Sequence, residues 1–182
     1  TQYLPAGYNN GAKIISGSWV FGTNGYGFAA NNFDKYVYQY PDFLVIQSAG
    51  NSGPGTVKEP GTAKNAIAVG ANFNNNINML ASFSSTGPTP DGRIKPDLIA
   101  PGVNTISAKS QIPTIQVCNT GGPSVFYSSC TGTSMSTPTV AGLTALAREY
   151  FQKVKGVLNP SAALVKAGLI NAEIPTDHIL MA

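Results

Sequence analysis

Gly132-Thr133-Ser134-Met135-Ser136-Thr137-Pro138-Thr139-Val140-Ala141-Gly142 is a small-residue turn that runs straight into an apolar helix, and its reading decides the fold. Gly132 permits a tight backbone approach, Pro138 suits a first helical turn, and Val140, Leu143, Leu146, Ala147 and Tyr150 follow at helical spacing. A hydroxyl at a helix N-terminus lies beside unpaired N–H groups and the positive end of the dipole, which favour a developing anion. A serine that attacks a carbonyl belongs in such a place. On local grounds alone, Ser134, Ser136 and Thr137 suit plain capping of the helix equally well.

Outward from this turn, apolar runs alternate with helical patterns. Lys13 to Val20, Phe43 to Gln47 and Ala66 to Gly70 read as short buried strands, while Leu98 to Ala100 and Thr105 to Ala108 are short strands separated by Pro101-Gly102. Between the first two, Ala29 to Tyr40 puts Phe33, Tyr36, Val37 and Tyr40 on one helical face, and Pro41 ends it. The Asn-rich piece Asn72 to Asn78 reads as a loop, Ser134 to Phe151 as the long helix, and Ser161 as the cap of a last helix through Ala172. This alternation predicts a single α/β domain with a mainly parallel sheet flanked by helices. Asn51 then falls just past a strand C-terminus, where open α/β sheets place their ligands.

The string Gly132-Thr133-Ser134-Met135-Ser136-Thr137-Pro138 through Val140-Ala141-Gly142 resembles the nucleophile motif of the subtilisin-like serine proteases. Three upstream blocks agree in colinear order. Ser48-Ala49-Gly50-Asn51-Ser52-Gly53 is similar to the segment whose Asn side chain donates to the oxyanion, and Pro60 to Ala71 is the second block. The third runs from Phe83 through Thr86-Gly87-Pro88 to Gly92-Arg93-Ile94-Lys95-Pro96-Asp97 and on to Pro101-Gly102. The resemblance covers roughly residues 12 to 172 of a partial catalytic domain spanning 1–182. It implies a subtilisin-like fold, incomplete at the N-terminal side, and a serine endopeptidase working through an acyl-enzyme on Ser134. Asn51 is implied as an oxyanion donor and Thr133 as its support. Ser18, Trp19 and Val20 are implied as the edge that pairs with an extended substrate, and Ser48, Ala49 and Gly50 as one wall of the P1 pocket. Val20 stands where many relatives have glycine, and its branched side chain narrows that pocket. The resemblance further implies a cis Glu59–Pro60 bond, and it puts Lys58 and Glu59 near the pocket floor, where both are expected to face solvent.

The family's triad runs Asp, His, Ser. Here only 50 residues precede Asn51, and none is a histidine. The chain therefore reads as the C-terminal part of a catalytic domain, inactive alone, whose first partner is its own missing N-terminal part. A catalytically inactive relative acting as a binding module is the alternative. His178, the single histidine, follows Ser134 and sits beside Asp177, in the Ser-acid-His order of α/β-hydrolases. Position 136 is Ser where G-x-S-x-G needs Gly, and adjacent residues do not easily form an acid–His–Ser line, so a solvated loop histidine is the reading.

Composition excludes other classes. Charged residues make up 10% of the chain, well under the usual ~25%, and the net charge of +3 is scattered with no basic cluster interleaved with aromatics, which speaks against nucleic acid. No apolar run approaches the ~18 residues of a membrane span. Cys118 and Cys130, 12 positions apart, match no zinc pattern. They are either a loop-closing disulfide across Asn119-Thr120-Gly121-Gly122-Pro123-Ser124 or two independent core residues. The disulfide, with the resemblance, points to an extracellular or secretory location. No cofactor is required, no metal ligand is assigned, and the resemblance leaves structural calcium open. The expected partner is a peptide or protein substrate.

Overall fold

The structure, a computed structural model, describes residues 3–112, 118 and 122–172. Its elements run α1 (Tyr3–Asn9), β1 (Ile14–Gly17), α2 (Phe28–Gln39), β2 (Leu44–Ser48), β3 (Ile67–Phe73), β4 (Asn76–Leu80), β5 (Leu98–Val103), β6 (Thr105–Ala108), β7 (Tyr127–Cys130), α3 (Thr133–Lys153) and α4 (Ala162–Asn171). The main sheet is parallel from β1 through β2 and β3 to β5, with Ile14 opposite Leu44, Ile46 opposite Ile67 and Val69 opposite Leu98. Every residue of β2 is buried, the pattern of a strand covered on both faces. The mainly parallel α/β architecture expected from the sequence is the observed one.

α3 lies across β1, β2, β3 and β5, and α4 packs beside it. Phe33, Phe43, Leu44, Ile46, Ile67, Val69 and Val165 fill the core between these elements. Ser161 caps α4, accepting the Leu164 N–H on its hydroxyl at 3.2 Å. Two carboxylates tie loops to helices. Asp34, on α2, accepts the Tyr26 hydroxyl and the Lys64 and Asn65 N–H groups. Glu59 accepts the Ala29 and Ala30 N–H groups at 2.8 and 3.1 Å, occupying the N-terminus of α2, where Gly27 offers no side-chain cap.

Several local expectations need correction. The Asn72–Asn78 stretch is not a loop: β3 and β4 form an antiparallel pair, and the Asn72 amide donates to the Ile77 carbonyl at 2.7 Å. Asparagine composition hid the alternation of Ile77 and Met79 that marks a strand. α1 and β7 were not expected; β7 pairs with β6, setting Cys130 opposite Thr105. Glu59 does not face solvent, because the α2 N-terminus draws it inward to 8% exposure. Pro138 lies in the second turn of α3, not the first, because that helix begins at Thr133. The Glu59–Pro60 bond is cis, as the resemblance implies. Of the apolar series on α3, Val140 is buried, whereas Leu143, Leu146 and Tyr150 line an open apolar groove with Leu98 and Ala100.

Candidate active site

Three chain segments meet at the start of α3. The first is the turn itself. Gly132 has φ 153°, a conformation that side chains rarely adopt, and a Cβ there would come 3.3 Å from Asn51 Nδ2. Two bonds pin this turn to β5: the Gly132 N–H donates to the Gly102 carbonyl at 2.8 Å, and the Ser136 hydroxyl to the Ala100 carbonyl at 2.8 Å. Ser134 is thereby held at the helix mouth, where its own N–H has no intrahelical acceptor.

The second segment continues β2. The Ala49 N–H donates to the Val69 carbonyl at 2.9 Å, and the chain then swings over α3. Asn51 Oδ1 accepts both the Thr133 N–H and the Thr133 hydroxyl, each at 2.9 Å. An N–H can only donate, so the Asn51 oxygen must face Thr133 and its Nδ2 amide is left to point elsewhere. The Thr133 hydroxyl accepts in turn from the Gly50 N–H at 3.3 Å, and Thr133 is buried. Its only proton therefore goes to Asn51.

The third segment, Ser18 to Phe21, follows β1. Ser18 and Ser134 exchange two bonds: the Ser18 hydroxyl donates to the Ser134 carbonyl at 2.9 Å, and the Ser134 hydroxyl donates to the Ser18 carbonyl at 3.2 Å. Pro138 explains the first. The Ser134 carbonyl would serve the N–H of residue 138 in an uninterrupted helix, and proline has none. Phe21 is anchored by its N–H to the Glu59 carbonyl at 2.9 Å. A Val20 methyl comes 3.7 Å from where a Gly50 Cβ would sit, so its side chain packs toward the Gly50 backbone. Trp19 stacks on Phe21 at 5.4 Å between ring centroids, and both are partly exposed.

The structure thus gathers Ser134, Asn51, Thr133, Ser18, Val20 and Gly50 around the start of α3. Among the described residues, which include no histidine, no carboxylate bonds to Ser134. Asp177 and His178 lie outside the described residues. Cys118 is paired with Cys130 in the structure, with Cα atoms 5.0 Å apart, next to the turn. Among the described residues, no group of three or more His, Cys, Asp or Glu side chains could hold a metal ion, so the calcium left open by the resemblance finds no such cluster there. No described helix is long and apolar enough to cross a membrane. Gln47 was not anticipated from sequence: it reads as one more residue of an apolar strand, yet its buried side chain donates to the Trp19 carbonyl behind the Ser18–Phe21 segment.

Comparison with known proteins bears on the family and the fold. The model of the subtilase family, Peptidase_S8, matches residues 2–177. The serine protease AprX of Bacillus subtilis (strain 168) is 45% identical over 113 residues, covering 57% of this chain and 25% of that protein. Subtilisin Savinase of Lederbergia lenta is 35% identical over 144 residues, covering 73% of this chain and 46% of its own length. Among solved structures, the prenylagaramide maturation protease PagA superposes with a TM-score of 0.73 at 26% identity, covering 97% of this chain and 57% of PagA. The chain thus spans between a quarter and somewhat over half the length of these proteins.

Proposed function

The chain belongs to the subtilase family, and on that premise we propose that it carries the nucleophile and oxyanion site of a serine endopeptidase. Ser134 is the nucleophile: its Oγ attacks the scissile carbonyl, the C–N bond breaks, and an acyl-enzyme forms for water to hydrolyse. The observation that supports this best is the Thr133–Asn51 contact, which turns the Asn51 amide away from Thr133, without an acceptor among the described residues, at the helix mouth where the Ser134 N–H also has no intrahelical one. Two such donors are what a tetrahedral oxyanion needs. The Thr133 hydroxyl contributes through Asn51, which it orients. Ser18, Trp19 and Val20 form the edge for an extended peptide, and Ser48, Ala49 and Gly50 the facing wall.

A serine hydroxyl is a weak nucleophile until a base takes its proton. We assign the base and its orienting acid to a segment that precedes this chain in a longer protein, so the chain alone is inactive. The pairing of Cys118 with Cys130 supports a disulfide, and with it an oxidising, extracellular location. The second reading, a binding module without turnover, draws on one observation of the sequence: no histidine precedes Ser134 in this chain. The deciding experiment assays three proteins on one peptide substrate: this chain, the longer protein, and the longer protein with Ser134→Ala. Activity only in the unmutated longer protein is the expected result. Turnover by the chain alone, or by the Ser134→Ala protein, overturns the assignment.

A further inference from the structure

Gln47 is 1% exposed in the all-buried strand β2, a position where an apolar side chain would be ordinary. Its Nε2 donates to the Trp19 carbonyl, crossing from the strand that leads to Asn51 to the segment that carries Ser18 and Val20. Its Oε1 is buried with no hydrogen-bond partner among the described residues. An unpaired buried acceptor is costly, so this glutamine is a poor choice for stability alone. Room for it depends on Gly17, opposite Gln47 in the register, where any Cβ would collide with Oε1.

The backbone beyond β1 alternates in what it serves. The Trp19 carbonyl and Phe21 N–H turn inward to Gln47 and Glu59, while the Ser18 carbonyl turns outward to Ser134. In an extended strand, fixing Trp19 inward fixes its neighbours, Ser18 and Val20, outward. We infer that Gln47 is a positioning residue that holds the Ser18–Val20 edge in register for pairing with the main chain of an extended substrate, an inference that rests on the endopeptidase reading above. It touches neither substrate nor Ser134. It acts through the Trp19 carbonyl, and Gly17 is the residue that admits it.

The test is made in the longer protein with Gln47→Met, which keeps length and removes the amide, and with Gly17→Ala, which displaces the amide while leaving Gln47 in place. Each is compared with the unmutated protein on a four-residue peptide anilide and on a single-residue ester that has no upstream main chain to pair. KM for the four-residue substrate is expected to rise about tenfold, the worth of a lost hydrogen bond, with the ester unaffected and the Gln47→Met melting temperature unchanged or raised. An equal loss on both substrates, or unchanged KM with a lowered melting temperature, overturns the inference in favour of a structural role. Amide exchange over residues 17–22 separates this inference from the endopeptidase reading. Unchanged exchange in the variants overturns the anchoring whatever the activity. Faster exchange in a protein whose unmutated form cleaves neither substrate upholds the anchoring and removes the endopeptidase.

Discussion

Asn51 and Thr133 are locked by two bonds that converge on one oxygen, with the Thr133 N–H and hydroxyl both 2.9 Å from Asn51 Oδ1. The orientation of the Asn51 amide is thus set by a residue adjacent to Ser134. Loss of the amide in Asn51→Leu is expected to lower kcat of the longer protein by about 10²–10³, the range known for a single oxyanion donor in subtilisin. Thr133→Val removes one of the two bonds and leaves the Gly50 N–H unpaired, so a smaller fall of about tenfold in kcat is expected, with KM little changed. Steady-state kinetics check both. A Thr133→Val protein with wild-type kcat would mean that the N–H alone orients Asn51.

Glu59 joins the cleft to α2. Replacing it with Ala strands two buried N–H groups and removes a negative charge from a helix N-terminus, at an expected cost of about 1–2 kcal/mol. Gln keeps an acceptor but not the charge, and should cost about half as much. The midpoint of urea unfolding distinguishes the two.

Lys95 predicts a pH dependence. Burial drives its ammonium down from the ordinary 10.5 to about 8, against the opposing pull of Asp97 at 2.6 Å, while Lys166 and Arg93 lower it further. The folded state then holds fewer protons than the unfolded one between pH 8 and 10.5, so stability rises with pH in that window, and the cost is fully present below pH 8. In Lys95→Met, Asp97 keeps Lys166 at 2.8 Å and the Ala68 N–H at 2.7 Å. The variant is expected to exceed the unmutated protein in stability at neutral pH, by at most about 3 kcal/mol, with the gap closing toward pH 10.5. Denaturant unfolding of both proteins at pH 7 and at pH 10 is the measurement, and a gap that widens with pH would contradict the cause given.

The cysteine pair predicts that unreduced protein titrates no free thiol. Replacing both Cys118 and Cys130 with Ser is expected to cost about 3 kcal/mol, as for other short loops. Two reactive thiols in the folded, unreduced protein would show that the residues are merely adjacent.

The local parts of the candidate site are legible in the sequence because they are short strings. Gly132 and Thr133 open the helix and Ser48 ends its strand just before Asn51, much as each string reads without its partner, although Pro138 falls a turn later than its own string suggests. What escaped reading was long-range. Glu59 looked like a loop charge because nothing near it in sequence shows that a helix N-terminus arrives 30 residues away. Gln47 reads as the end of a continuous apolar run because its meaning lies in Gly17 and Trp19, both distant in sequence. The β4 strand escaped for a different reason: four of its five residues are exposed, and its alternate positions Asn76 and Asn78 are a residue type that local statistics assign to turns.

Pro138 removes one rung from the hydrogen-bond ladder of α3, and the vacated Ser134 carbonyl is filled by Ser18, 116 residues earlier in the chain. A helix without that proline would satisfy itself locally and be indifferent to whether the opposite wall had arrived. Here the opposite wall supplies what the helix lacks. The exposed Ser134 carbonyl takes either the Ser18 hydroxyl or water, so the proline creates a tie between helix mouth and wall that the helix itself can do without.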